Sequence, residues 1–124
     1  MIDDQKLLQV IDSTPLVSID LILQNSMGEV LLGKRTNRPA LNSWFVPGGR
    51  IRKNERIAEA FKRISLKELG CELSLENAEL LGGFDHIYED NYLNQKGINT
   101  HYVVLAYRVM VHTHGTIVER LSPR

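Results

Sequence analysis

Near the middle of the chain, one carboxylate stands where a helix should be apolar. At about 100 degrees per residue, Ile57, Phe61 and Ile64 share a narrow stripe of a helix expected over residues 55–69, and Glu68 falls in the middle of that stripe. An inward carboxylate is costly unless its charge is compensated, and a divalent cation would do so. Just upstream, Gly48-Gly49 allows backbone to approach a ligand closely, so carbonyl oxygens there can join Glu68 around a hard ion such as Mg²⁺. Glu55 lies on the opposite side, at the helix start, where a negative charge suits the dipole; its role reads as structural. Spacing alone leaves a plainer account open, in which Glu68 merely ends a helix beside Lys67 and Arg63.

The elements that must position these groups are legible in outline. Residues 5–12 predict a short amphipathic helix, broken by Ser13-Thr14-Pro15. Leu16 to Gln24 predicts a strand with Val17, Ile19, Leu21 and Leu23 on one face and Ser18 and Asp20 on the other. The turn Asn25-Ser26-Met27-Gly28 leads to a second strand, Glu29 to Leu32, and the two should form a hairpin. A polar loop, Gly33 to Pro39, precedes the short run Trp44-Phe45-Val46, which Pro47-Gly48-Gly49 should end sharply. Gly70 closes the long helix as a C-terminal cap. Strand-like segments near Glu79–Asp85 and His101–Val111 flank a loop from Tyr88 to Thr100. Strands on both sides of one long helix predict a mixed α/β domain, with a sheet sandwiched between helices.

Composition narrows the function classes. The 124 residues suffice for one core, and fifteen basic residues balance fifteen acidic ones. No overall field argues for nucleic acid or an anionic membrane, so any phosphate recognition must come from local placement. Cys71, the one cysteine, excludes an intrachain disulfide and reads as a small residue packed after the helix. The acidic start Met1-Ile2-Asp3-Asp4-Gln5 is not signal-like, and no run approaches transmembrane length; the expectation is a soluble cytoplasmic domain.

From Gly49 the chain reads Gly49-x5-Glu55-x7-Arg63-x4-Glu68-x-Gly70, which resembles the Nudix box, G-x5-E-x7-R-E-U-x-E-E-x-G-U. Ile64 and Lys67 stand where that box has two further acids. A three-carboxylate site can hold several metals and activate water for attack on phosphorus, whereas one acid suits a single metal that neutralises a leaving diphosphate. This degenerate box is similar to that of the GDP-mannose mannosyl hydrolases. So are Ser13 to Ser18, Leu32 to Pro39, Trp44 to Arg50 and His101 to Leu105, and the resemblance covers roughly residues 10–111.

The resemblance implies a Nudix fold and a reaction in which water attacks the anomeric carbon of a GDP-hexose with inversion, releasing GDP and free sugar. It implies one Mg²⁺ held by the Gly48 carbonyl and Glu68, and a homodimer. Arg35 and Arg50 resemble arginines that neutralise the departing diphosphate, Asp20 an acid that holds the sugar, and His86 and Tyr102 residues near diphosphate and sugar. Each has a plainer alternative: solvated loop charges for the arginines, a surface acid for Asp20, a structural histidine for His86, and for Tyr102 a core ring with its hydroxyl at the surface.

Past Val111 the family pattern, with its Gln-His pair, further strand and closing helix, finds no counterpart. Residues 1–111 are therefore expected to form the Nudix domain and 112–124 a divergent tail, with His112 and His114 the candidates to replace the general base that the family's histidine supplies. Losing a general base alone typically costs about 10²–10⁴-fold in rate, so activity is expected to be impaired. Two other readings stay open. One is an ordinary Nudix pyrophosphohydrolase, disfavoured by Ile64 and Lys67; the other is a catalytically inactive protein that binds nucleotide sugars.

Overall fold

The computed structural model describes residues 2–111. Within them the order is α1 (Asp4–Ser13), β1 (Leu16–Gln24), β2 (Gly33–Lys34), β3 (Trp44–Phe45), β4 (Gly48–Arg50), α2 (Ile57–Leu69), a 3₁₀ turn (Leu75–Asn77), β5 (Ala78–Tyr88) and β6 (Thr100–Met110). The main sheet is mixed, in the order β4-β1-β6-β5: β1 runs parallel to β6 and antiparallel to β4, while β5 and β6 are antiparallel. A separate two-stranded ribbon joins β2 to β3. No helix among the described residues is long and apolar enough to cross a membrane.

β1 is central because both its faces are covered. Ile19, Leu21 and Leu23 pack with Phe61 and Ile64 of α2 and with Tyr107 and Val109 of β6 in the main core. The Phe61 and Tyr107 rings meet edge to face, with centroids 5.5 Å apart. The opposite face, with Leu16, Ser18 and Asp20, is also buried, and α1 contributes Ile11 to that side. Asp20 is therefore not a surface acid.

The helix ends follow local chemistry. Asp3 caps α1 by accepting the Lys6 N–H at 2.8 Å. Glu59 accepts the Arg56 N–H at the start of α2, and Gly70 closes that helix with φ of 77°, where a side chain would be strained. Ile57, expected on the buried stripe, is exposed: it is the first helical residue, and burial begins a turn later at Ala60 and Phe61. Cys71 is exposed as well, since the left-handed turn at Gly70 carries the next residue off the helix.

Two further expectations are corrected. Glu29–Leu32 forms no regular strand; it makes a bridge between Val30 and Gln24 and a hydrogen bond from the Leu31 N–H to the Leu23 carbonyl. The reason is competition for β1. One edge of β1 is taken over its whole length by β6, and the other is occupied as far as Leu21 by residues 47–51. The run Trp44–Phe45 does end before Pro47, as expected, and Gly48–Arg50 then forms a strand of its own, β4, in the main sheet. Val17, assigned to the apolar face, is 41% exposed near the start of β1.

Candidate active site

The short strand β4 presents backbone groups to α2. Leu21 N–H donates to the Pro47 carbonyl and Ile51 N–H to the Val17 carbonyl, each at 2.8 Å. In an antiparallel ladder hydrogen-bonded pairs alternate with open ones, so Gly48 and Arg50 point their N–H and C=O groups away from β1. Side chains of α2 meet them there. Glu68 Oε1 accepts the Gly48 N–H at 3.4 Å, and Arg63 Nη2 donates to the Arg50 carbonyl at 2.8 Å. Gly49 between them lets the helix come close: a Cβ there would sit 3.1 Å from Ile64 Cγ1. The absence of a side chain at Gly49 thus serves helix packing, a different use from the ligand approach expected of the Gly-Gly pair.

Arg63 also ties down the loop before α2. Its Nε and Nη2 donate to the two carboxylate oxygens of Glu55 at 2.7 and 2.9 Å, and Glu55 further accepts the Arg52 N–H. The Arg63 hydrogen bonds, with help from Arg52, hold the Glu55 carboxyl down to about 2 against the opposing effect of burial. Glu55 is structural, as its place at the helix start suggested.

The rest of the site follows from strand register. Gly48, Asp20 and Ala106 lie in one row across the sheet; Arg50, Ser18 and Val104 form the next, and Leu16, Tyr102 and His86 a third. Alternation puts all three rows on the face away from Phe61. Above this floor stands the loop between β2 and β3. It is closed on itself by Arg35 N–H to the Ser43 carbonyl, Asn42 N–H to the Arg35 carbonyl, and Arg35 Nε to the Pro39 carbonyl at 2.8 Å. The Arg35 guanidinium lies over the Phe45 ring, 5.8 Å from its centroid. Phe45, His86 and Tyr102 each make an edge contact with Tyr88.

Floor, helix and loop enclose a cavity of about 260 Å³. All seven residues singled out in the sequence line it: Asp20, Arg35, Gly48, Arg50, Glu68, His86 and Tyr102. Asp20 and Glu68 are buried there, at 7% and 3% exposure. His112 and His114, the other candidates for a base, lie outside the described residues.

The lining also holds cations that sequence reasoning did not place in the site. Arg38, Arg52, Arg63 and Lys67 join Arg35 and Arg50, so six basic side chains line the cavity with two carboxylates; two of the six, Arg63 and Arg38, are paired with Glu55 and Asp90 outside the lining. Lys67 had been read as an acid lost from the box and as a neighbour of Glu68; here it adds positive charge to the cavity. Arg38 had a signal, three residues beyond Arg35 in the same polar loop, but nothing in the sequence said which loop side chains turn inward. A chain balanced overall concentrates positive charge at one place, which suits a ligand carrying several negative charges.

Donor chemistry at the helix edge of the cavity fits one hard cation. Glu68 supplies a carboxylate, and the Gly48 carbonyl lies in the outward register. Among the described residues no group of three or more His, Cys, Asp or Glu side chains gathers as a metal cluster. Ile64 and Lys67 stand where a three-carboxylate helix would carry its other acids.

Comparison with known proteins agrees with this fold. A family model described as the NUDIX domain matches residues 14–123. The low-salt glycan biosynthesis protein Agl8 of Haloferax volcanii is 39% identical over 109 residues, covering 87% of this chain and 67% of that protein. Among solved structures, a MutT/nudix family protein from Enterococcus faecalis matches with a TM-score of 0.64 and 27% identity over 86% of this chain, which spans only 40% of that longer protein. A MutT NUDIX hydrolase from Burkholderia pseudomallei matches with a TM-score of 0.62 and 28% identity, covering 82% of this chain and 71% of its own.

Proposed function

The chain belongs to the NUDIX domain family, a family of hydrolases, and we propose that it hydrolyses GDP-mannose or a related GDP-hexose at the anomeric carbon, giving GDP and free hexose. The observation that carries this reading is the cavity itself. It pairs one α2 carboxylate, Glu68, with a surplus of cations, and the positions of the two missing box acids hold a core isoleucine and a lysine. Such a site is better suited to receiving a departing diphosphate than to activating water for attack on phosphorus. The name of the Haloferax relative, a glycan biosynthesis protein, supports a sugar-linked substrate.

In this reading water attacks the anomeric carbon, the bond from that carbon to the diphosphate oxygen breaks, and the electron pair leaves with GDP. Arg35 from the loop and Arg50 from the sheet floor neutralise the charge that develops on the leaving group. Asp20, buried on the floor, holds sugar hydroxyls, and His86 and Tyr102 position sugar and diphosphate. A single Mg²⁺ on Glu68 and the Gly48 carbonyl would supply further charge neutralisation at the diphosphate. The attacking water must also give up a proton, and among the described residues His86 is the one imidazole lining the cavity. A homodimer and a cytoplasmic location belong to the same reading; the edge of β5, unpaired among the described residues, supplies a surface for the first, and the lone exposed thiol of Cys71 is compatible with the second.

Incubation with GDP-mannose and Mg²⁺ followed by phosphorus NMR tests the reading. GDP plus hexose is the expected product pair. GMP plus hexose phosphate would mean an ordinary pyrophosphohydrolase, and tight binding without turnover would mean a binding protein.

A further inference from the structure

Resting on the reading that the cavity takes a diphosphate, we infer that Arg38 is a further loop arginine that binds it, and that Asp90 is the residue that positions Arg38 to do so. Arg38 lines the cavity and Asp90 does not. The two meet at 3.0 Å, Arg38 Nη1 donating to Asp90 Oδ2, across 52 residues of sequence. The carboxylate therefore holds the guanidinium from outside the cavity lining. Among the described residues that bond engages Nη1 alone, leaving the other N–H groups of the fork for a diphosphate oxygen.

Both ends of this contact are built rather than incidental. On the Arg38 side, the loop between β2 and β3 is closed by its own hydrogen bonds, with Pro39 buried. On the Asp90 side, the loop between β5 and β6 is organised around Asn91, which is fully buried. Its amide donates to the Gln95 and Ile98 carbonyls, and its Oδ1 accepts the N–H groups of Leu93 and Gln95. Asp90 itself is pinned by its carbonyl, which accepts the Thr100 hydroxyl at 2.7 Å. An ion pair with side chains 40% and 30% exposed adds little to stability. Its effect is orientational: it holds one more guanidinium toward a cavity whose other cations would repel it if it were free.

The probe is inorganic pyrophosphate without added metal, its affinity measured by calorimetry on the full chain. Arg38→Gln should weaken binding about tenfold, and Asp90→Asn about threefold. The double variant should bind no more weakly than Arg38→Gln alone, because Asp90 acts through Arg38. Arg38→Lys should recover part of the affinity, keeping the charge without the fork. Melting temperatures guard against misfolding, and a purely structural pair would lower them while leaving affinity unchanged.

Pyrophosphate affinity in Arg38→Gln equal to that of the parent would overturn the binding role. Tighter binding in Asp90→Asn, or penalties that multiply in the double variant, would overturn the positioning role. The substrate reading fails separately. A chain that leaves GDP-mannose intact yet loses pyrophosphate through Arg38→Gln keeps this inference. A chain that hydrolyses GDP-mannose with pyrophosphate affinity insensitive to residue 38 removes it.

Discussion

The main sheet has two edges, and the chain treats them oppositely. At the β4 edge a three-residue strand carries two glycines, and its outward backbone groups are met by Arg63 and Glu68 from α2. At the β5 edge an eleven-residue strand has no further sheet partner among the described residues. It exposes Leu80, Leu81, Phe84 and Ile87. A strand edge is a row of donors and acceptors wanting partners. Where side chains of a packed helix fill that row, fixed charges are brought beside exposed carbonyls, and a ligand site can form. Where nothing fills it, the same row is a template for another strand. The difference lies in whether a helix packs close enough to reach the edge, which Gly49 permits against Ile64.

The sharpest way to break this contrast is at Glu68. Glu68→Gln should lower metal-dependent hydrolysis by roughly 10²–10³-fold and strongly weaken Mg²⁺ binding, as expected when one preorganised charge is removed. Mg²⁺ titration of the variant checks it, and an unchanged affinity would remove Glu68 from the metal site. Next in size come the two arginines proposed to act on the leaving group. Arg50→Gln, on the edge strand, and Arg35→Gln, on the loop, should each reduce the turnover number about 10- to 100-fold, with a smaller rise in the Michaelis constant. A pure Michaelis-constant effect would confine both to ground-state binding.

The structural half of the β4 edge is sharpened by pH. Glu55 is depressed from 4.5 to about 2 in the folded chain. Its ion pair with Arg63 therefore contributes fully above pH 4.5, and that contribution is lost as pH falls through about 2. Denaturant titrations of the parent and of Glu55→Gln should differ above pH 4.5 and converge toward pH 2; a constant gap would contradict the assignment. The smallest effect on chemistry is expected at the other edge. Ile87→Lys, at a site 64% exposed, should leave hydrolysis within about twofold of the parent while shifting any dimer toward monomer in sedimentation. If activity collapses instead, the two edges are not independent.

Much of the site was readable before any fold. The spacing from Gly49 to Gly70 identified the helix, its cap and its one inward acid, because a 3.6-residue period turns sequence distance into angle. Asp20 and Tyr102 were placed on strands by alternation and by family resemblance. Burial of Asp20 was not legible, since a strand pattern names two faces without saying whether both are covered.

Sequence alone, through residue type, short-range period and family resemblance, nominated the residues proposed for diphosphate and metal. Only the tertiary structure decided which of them meet. Arg38 and Asp90 lie on separate loops, and Lys67 looked like a lost acid until the cavity it faces was closed by β1, β6 and the Arg35 loop. The strand expected at Glu29–Leu32 yielded the β1 edge to residues 47–51, a competition between segments far apart in sequence. Local pattern fixes angle and face over a few residues; occupancy of a shared edge depends on every segment that can reach it.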